Sequence, residues 1–201
     1  MSSTATVRRI LSVGIAATTA LVLAACGGNS ADQGSMGPSA PPATTGFNDA
    51  DVNFVQMMIP HHEQAVEMAE LAVRRANDPE LKEIAAQVMS AQEPEITTMT
   101  GWLTAWDKPA TGGHEMPGMS GTEGMPGMAS EQEMAQIETA SGVDFDRMFA
   151  RMMIAHHNGA IQMARDVSTQ GINPDVKALA SAIEQSQAAE VTQLEAILDR
   201  L

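Results

Sequence analysis

Four of the chain's five histidines come as two adjacent pairs, His61-His62 and His156-His157. Each pair follows two methionines and an isoleucine, and a further methionine stands six or seven residues on, Met68 in one case and Met163 in the other. On a helix that turns about 100° per residue, Met57, His61 and Met68 fall on one stripe, and Met152, His156 and Met163 do the same. His62 and His157 stand about a quarter turn round. Met58 and Met153 lie one turn before them. A lone histidine on such a face is usually a hydrogen-bonded core residue, and methionine at helical spacing is usually core. Two repeated pairs with sulfur a turn before and after point instead to a ligand set. Thioether sulfur is soft and imidazole borderline, a combination that favours copper, Cu(I) above all. Zinc prefers thiolate, imidazole or carboxylate and seldom takes methionine. The candidate ligands are therefore Met57, His61, His62, Met68, Met152, His156, His157 and Met163.

A second pair of segments carries polar residues on apolar stripes. Val88, Gln92, Glu95 and Met99 define one helical face, and Ile183, Gln187, Glu190 and Leu194 repeat it. If buried, the Gln and Glu need partners, and a histidine N–H on a facing helix is a natural one. A carboxylate behind an imidazole fixes its tautomer and leaves the other nitrogen free for a metal. Gln92, Glu95, Gln187 and Glu190 are thus candidates for orienting the ligands.

Residues 107–129 are broken by glycine and proline and hold two Met-Pro-Gly-Met strings. Methionine is an odd choice for a solvated loop. His114, Met116, Met119, Met125 and Met128 would suit auxiliary, mobile capture of a soft cation.

The elements that must position these side chains come in two copies. Residues 51–106 lie over 146–201 at a constant offset of 95 with no gap, matching Asp51 to Asp146, Phe54 to Phe149, Pro79 to Pro174, Gln92 to Gln187 and Glu95 to Glu190. Such self-similarity reads as an internal duplication. Asn48 or Asp49 can cap a first helix reaching about Ala76. Asn77-Asp78-Pro79 and Asn173-Pro174 each offer a capping side chain before proline at the first helical position. Ser130 and Glu133 fit a capping box, and Ser141-Gly142 should bend or break the helix that follows. Turns this short imply antiparallel neighbours. The expected fold is all-α: a four-helix bundle of two duplicated hairpins, with repeat one at 48–106, a Met/Gly-rich linker at 107–129 and repeat two at 130–201. Pro60, opposite Ala155 in the second copy, should free the carbonyl of Gln56 and kink the first helix, making the two clusters inequivalent.

The start of the chain is read separately. Arg8 and Arg9 precede an apolar run from Ile10 to Leu23 that is too short to span a bilayer. Leu23-Ala24-Ala25-Cys26 resembles a bacterial lipobox, which predicts a signal peptide at 1–25 and lipid on Cys26. The paired arginines could also mark twin-arginine export. Residues 26–47 are rich in Gly, Ser, Pro and Thr and read as a tether. Cleavage would remove two arginines and no acidic residue, leaving 9 basic against 25 acidic residues and a net charge of −16. That argues against nucleic acid, whose phosphates call for Lys and Arg, and leaves membrane attachment to the lipid. With the single cysteine acylated, neither a disulfide nor a thiolate site can form.

The repeated Met-Met-Ile-x-His-His-x-x-Ala-x-x-Met-Ala string, at 57–69 and 152–164, resembles the hallmark of the family called domain of unknown function 305. The resemblance extends over about residues 48–201. It implies a ferritin-like four-helix bundle and, for some members, copper binding and copper tolerance outside the cytoplasm. Three functions compete. One is a non-enzymatic, membrane-anchored copper lipoprotein at the extracytoplasmic face, for buffering, tolerance or delivery, its protein partner unknown. Another is an interaction module whose buried His, Gln and Glu only fix packing. The third is a ferritin-like di-metal oxidase, which would need Glu-x-x-His on two helices. Met58, Ile59, Met153 and Ile154 stand where those glutamates belong.

Overall fold

Side chains that accept from free backbone N–H groups set where the helices begin. The computed structural model describes residues 46–110 and 125–201. The expected signal peptide, most of the tether, Cys26, His114, Met116 and Met119 lie outside the described residues. Among those described there are five helices: α1 Asp49–Arg75, α2 Pro79–Ala105, α3 Glu131–Thr139, α4 Gly142–Gln170 and α5 Pro174–Arg200. Asn48 caps α1 and shares a capping box with Asp51. Asp78 accepts from the N–H groups of Glu80 and Leu81 at the start of α2, and Asn173 accepts from Asp175 and Val176 at the start of α5. Ser130 and Glu133 form the capping box of α3. Each such cap contributes about 1 kcal/mol.

The Ser141-Gly142 break separates the short α3 from α4, so the second repeat begins with a helix that the first lacks. Gly142 takes a positive φ of 59° there, which glycine tolerates at no steric cost. Arg75 ties α1 to this junction, donating to the carbonyls of Glu138 and Ala140 and lying over the Phe145 ring. Ile137 anchors α3, fully buried against the bundle. Helix α1 continues through Pro60, and α2 continues through Pro94.

The two hairpins are joined by a reciprocal clasp. Asp51, at the start of α1, accepts from the backbone N–H groups of Ile172 and Asn173 in the α4–α5 turn, at 3.1 and 3.2 Å. Asp146, at the start of α4, accepts from Asn77 and Asp78 in the α1–α2 turn, at 2.8 and 3.0 Å. The start of each repeat's long helix is thereby pinned to the other repeat's turn. Helices α1 and α4 must run antiparallel, related by a pseudo-two-fold axis. Both carboxylates are buried and their oxygens are met by N–H donors, as a buried charge requires.

Apolar side chains fill the bundle in two separate clusters. One holds Ala65, Met68, Val88, Phe145, Phe149, Met153 and Leu194; the other holds Val55, Met58, Ile59, Met99, Ala160, Met163 and Ile183. Along every long helix the chain passes from one cluster to the other. The residues at the crossing are His61 and His62 on α1, Gln92 on α2, His156 and His157 on α4 and Gln187 on α5. All six are buried. A polar layer therefore cuts across the middle of the core.

Removing either clasp should be costly. Replacing Asp146 with alanine leaves the buried Asp78 N–H and the part-buried Asn77 N–H unpaired and should lower stability by about 2 kcal/mol, read as a lower urea midpoint. Asp51→Ala should cost a similar amount. A change below about 0.5 kcal/mol in both would show that the clasps do not hold the hairpins together.

Candidate metal centre

The helical spacing that groups His61 with His62 and His156 with His157 delivers all four rings to the crossing of α1 and α4. His61 and His156 meet at the pseudo-axis, ring centroids 3.7 Å apart and planes tilted by 37°. The outer histidines turn to the flanking helices. His62 Nε2 lies 2.7 Å from a Glu95 carboxylate oxygen, and His157 Nε2 lies 2.6 Å from one of Glu190. An ionised carboxylate only accepts, so Nε2–H is the donor in both. His61 has a different partner: its Nε2 donates to the carbonyl oxygen of Pro126 at 3.0 Å.

These three bonds assign the lone pairs. With Nε2 protonated, the neutral ring keeps its lone pair on Nδ1. The Nδ1 atoms of His61, His62 and His157 are buried with no hydrogen-bond partner in the protein, and so are both ring nitrogens of His156. Unpaired buried polar atoms are uncommon and call for a reason. Five of them are imidazole nitrogens; on neutral rings four of these carry a lone pair and one nitrogen of His156 carries its proton, and the Gln92 and Gln187 carbonyl oxygens lie unpaired beside them.

Burial keeps the central rings neutral. Loss of solvent pushes His61 from 6.5 down to about 3, the neighbouring His62 and His157 adding to the effect and the Pro126 carbonyl opposing it. His156 is held well below the ordinary imidazole range by burial first and by the other three histidines after it. Neither ring must shed a proton before it can ligate near neutral pH.

The expected ligand rows are only partly gathered. Met68 and Met163 are buried, but in opposite clusters on either side of the layer. Met152 is buried, whereas Met57 is 38% exposed. The two are equivalent in the duplication but not in the fold. Met58 and Met153 are fully buried, one helical turn before His62 and His157, and so are better placed in burial than Met57. Glu95 and Glu190 stand behind imidazoles as their spacing predicts. Gln92 and Gln187 are buried in the layer, but the side-chain carbonyl oxygen of each has no partner in the protein. Among the described residues, no three His, Cys, Asp or Glu side chains are grouped to hold a metal ion.

Sequence reasoning missed the part played by the linker. Met125 to Met128 closes a turn, with Met128 N–H donating to the Met125 carbonyl at 3.2 Å. Pro126 and Gly127, with its φ of 78°, supply the central residues a type II turn favours. This turn lies directly on α4. A Cβ placed on Gly159 would come 1.9 Å from the Pro126 carbonyl oxygen, and one on Gly127 would come 2.4 Å from that of Ala155. On the α1 side Gln64 grips Ala129 twice, donating to its carbonyl at 2.9 Å and accepting from its N–H at 2.8 Å. Gln64 and Gly159 are equivalent positions in the two repeats, and their difference was the available signal.

With this geometry in view, the family can be stated. A family model, Domain of unknown function (DUF305), matches residues 51–198. The chain belongs to the DUF305 family. The solved structure of a DUF305 protein from Streptomyces coelicolor is similar at 30% identity and a TM-score of 0.69, covering 75% of this chain and 93% of that one. CopM in its Cu(I)-bound form is similar at 33% identity and a TM-score of 0.62, covering 75% and 96%. CopM has also been solved with Cu(II) and with silver. A 60-residue match at 37% identity joins the chain to an uncharacterized protein of Acanthamoeba polyphaga mimivirus; it spans 39% of that curated relative's length.

The neutral rings set a pH dependence. A histidine whose pKa is depressed by folding leaves stability intact above its unfolded value and drains it as pH falls toward the folded one. For His61 that window runs from 6.5 down to about 3. The metal-free protein should therefore lose melting temperature steadily between about pH 7 and pH 4.5, above the range where most carboxylates titrate. A variant with His61→Gln and His156→Gln should show a shallower slope over that interval. An unchanged slope would mean that the central rings are not held neutral.

Proposed function

We propose that this DUF305 chain is an extracytoplasmic protein, tethered to the membrane through lipid on Cys26, that holds Cu(I) in its histidine layer and buffers or delivers it. The observation that carries the reading is the set of five buried imidazole nitrogens without partners. On neutral rings four of the five carry a lone pair for a cation that prefers nitrogen and sulfur, and they sit between apolar clusters lined with methionine. The likeness to CopM, solved with copper and silver, supports the same class of cargo. Among the described residues no helix is long and apolar enough to cross a membrane, which is compatible with attachment through a lipid alone.

His61, His62, His156 and His157 are the proposed ligands. Met58 and Met153, together with Met68, Met152 and Met163, supply thioether sulfur around them. Glu95 and Glu190 orient the outer rings and raise their basicity, as carboxylates behind ligating imidazoles do. Met125 and Met128, half-buried on the linker turn, are auxiliary donors. Met57, exposed at the surface, serves capture rather than the layer. Cu(I) adds no covalent chemistry here; what the protein supplies is lone pairs, a dry site and exclusion of water.

Competition for Cu(I) against a chromophoric chelator tests this directly. Replacing all four paired histidines with alanine should abolish tight binding. Glu95→Ala with Glu190→Ala should weaken it by about 10- to 100-fold, and Met57→Ala should change it by less than about threefold, because an exposed thioether loses little on removal. Affinity unchanged in the four-histidine variant would remove the layer as the site. The competing interaction module is favoured by the His–Glu pairs, which are satisfied without any ion. It gives no rise in melting temperature with Cu(I), whereas a ligand that binds only the folded state must raise it.

A further inference from the structure

The duplication ought to make His61 and His156 twins, and their partners show that they are not. His61 Nε2 is bonded to the Pro126 carbonyl, while His156 makes no hydrogen bond to the linker and is approached by the His61 backbone, which opposes the lowering of its pKa. The difference comes entirely from the segment Met125–Ala129, which the duplication does not repeat. The Gln64/Gly159 difference between the repeats accommodates it. Gln64 bonds both backbone groups of Ala129. Its counterpart Gly159 provides the only side-chain size that lets the Pro126 carbonyl approach, since a single Cβ would overlap that oxygen. Ala155, where the first repeat has Pro60, presents its carbonyl beside Gly127. A tether of arbitrary course would not need a matched seat on one helix and a double clasp on the other.

We propose that Met125–Ala129 is a seated strap that acts on the histidine layer: its Pro126 carbonyl fixes the tautomer of His61 with Nδ1 turned inward, and its seating sets how fast a cation passes. Pro126 is thus a positioning residue for His61, acting through a backbone group that no side-chain substitution at that site removes. The same bond covers the pseudo-axis from one side, so the strap must lift for His61 Nε2 to meet solvent. The inference rests on the Cu(I) reading for its cargo, but its structural half can be tested without metal.

Long-range 1H–15N correlation on the metal-free mature chain, labelled at histidine, reads the tautomers near neutral pH. His61 should be the Nε2–H form, with an N–H proton slow to exchange with solvent. Gln64→Ala removes two strap bonds and leaves every histidine and both glutamates in place. It should speed exchange of the His61 Nε2–H by about tenfold, the cost of one to two net hydrogen bonds. The His62 and His157 Nε2–H signals, held by Glu95 and Glu190, should be unmoved. Gly159→Ala, which forces the strap off its seat, should do the same and further mix the His61 tautomers. Release of Cu(I) to a chelator should quicken in both variants by a similar factor. Unaltered His61 exchange in both variants would overturn the proposal, as would equal acceleration at all three histidines. A wild-type chain that binds no Cu(I) yet shows the His61 pattern would refute the copper reading and leave the strap's positioning role standing.

Discussion

The structure turns on a layer of buried imidazole across the middle of an apolar bundle. Burying four histidines costs free energy unless their polar atoms are met, and only some of them are. Glu95 and Glu190 meet the outer pair from the flanking helices, and Pro126 meets one of the inner pair. The rest of the fold can be understood as what keeps this layer assembled. The Asp51 and Asp146 clasps lock the two hairpins in the one register that brings His61 onto His156. Methionine and aliphatic clusters on either side bury the central rings, and that burial keeps them neutral.

Duplication and asymmetry do different work in this chain. Repetition builds the two His–Glu pairs and the two clasps, each needing only that a sequence fold as a helical hairpin and meet a copy of itself. Departure from repetition is concentrated where the linker touches the bundle. Gln64 against Gly159 is the place where one half gives hydrogen bonds and the other gives room. A symmetric layer would offer equivalent lone pairs from both sides. The strap makes one inner ring committed and makes no hydrogen bond to its twin.

Much of this was legible beforehand. The helix starts follow from Asn48, Asp78, Ser130 and Asn173, because a capping side chain beside proline or a capping box is a local signal. That Glu95 and Glu190 would meet a histidine on a facing helix follows from a carboxylate on an apolar stripe needing a partner, but the spacing left open that the outer His62 and His157 are the ones met. Met57 shows where spacing stops. It shares the stripe of His61, yet a stripe says nothing of where the neighbouring helices end, and Met57 lies at the surface while Met58 is buried. Asp51 and Asp146 stood out only as identical pairs, for their donors are 121 or 122 and 68 or 69 residues away. The seat of the strap showed only as the Gln64/Gly159 difference between the repeats, and a glycine in a helix does not announce what comes close to it.

The central claim is that these inward lone pairs receive a soft monovalent cation inside the bundle. Anomalous diffraction from crystals of the chain grown with Ag(I), a spectroscopically silent substitute for Cu(I), locates that cation without reference to function. The account predicts a strong peak within the layer, bonded to ring nitrogen from the paired histidines. Peaks confined to surface carboxylates or exposed methionines, with the four rings placed as before and nothing between them, would contradict it.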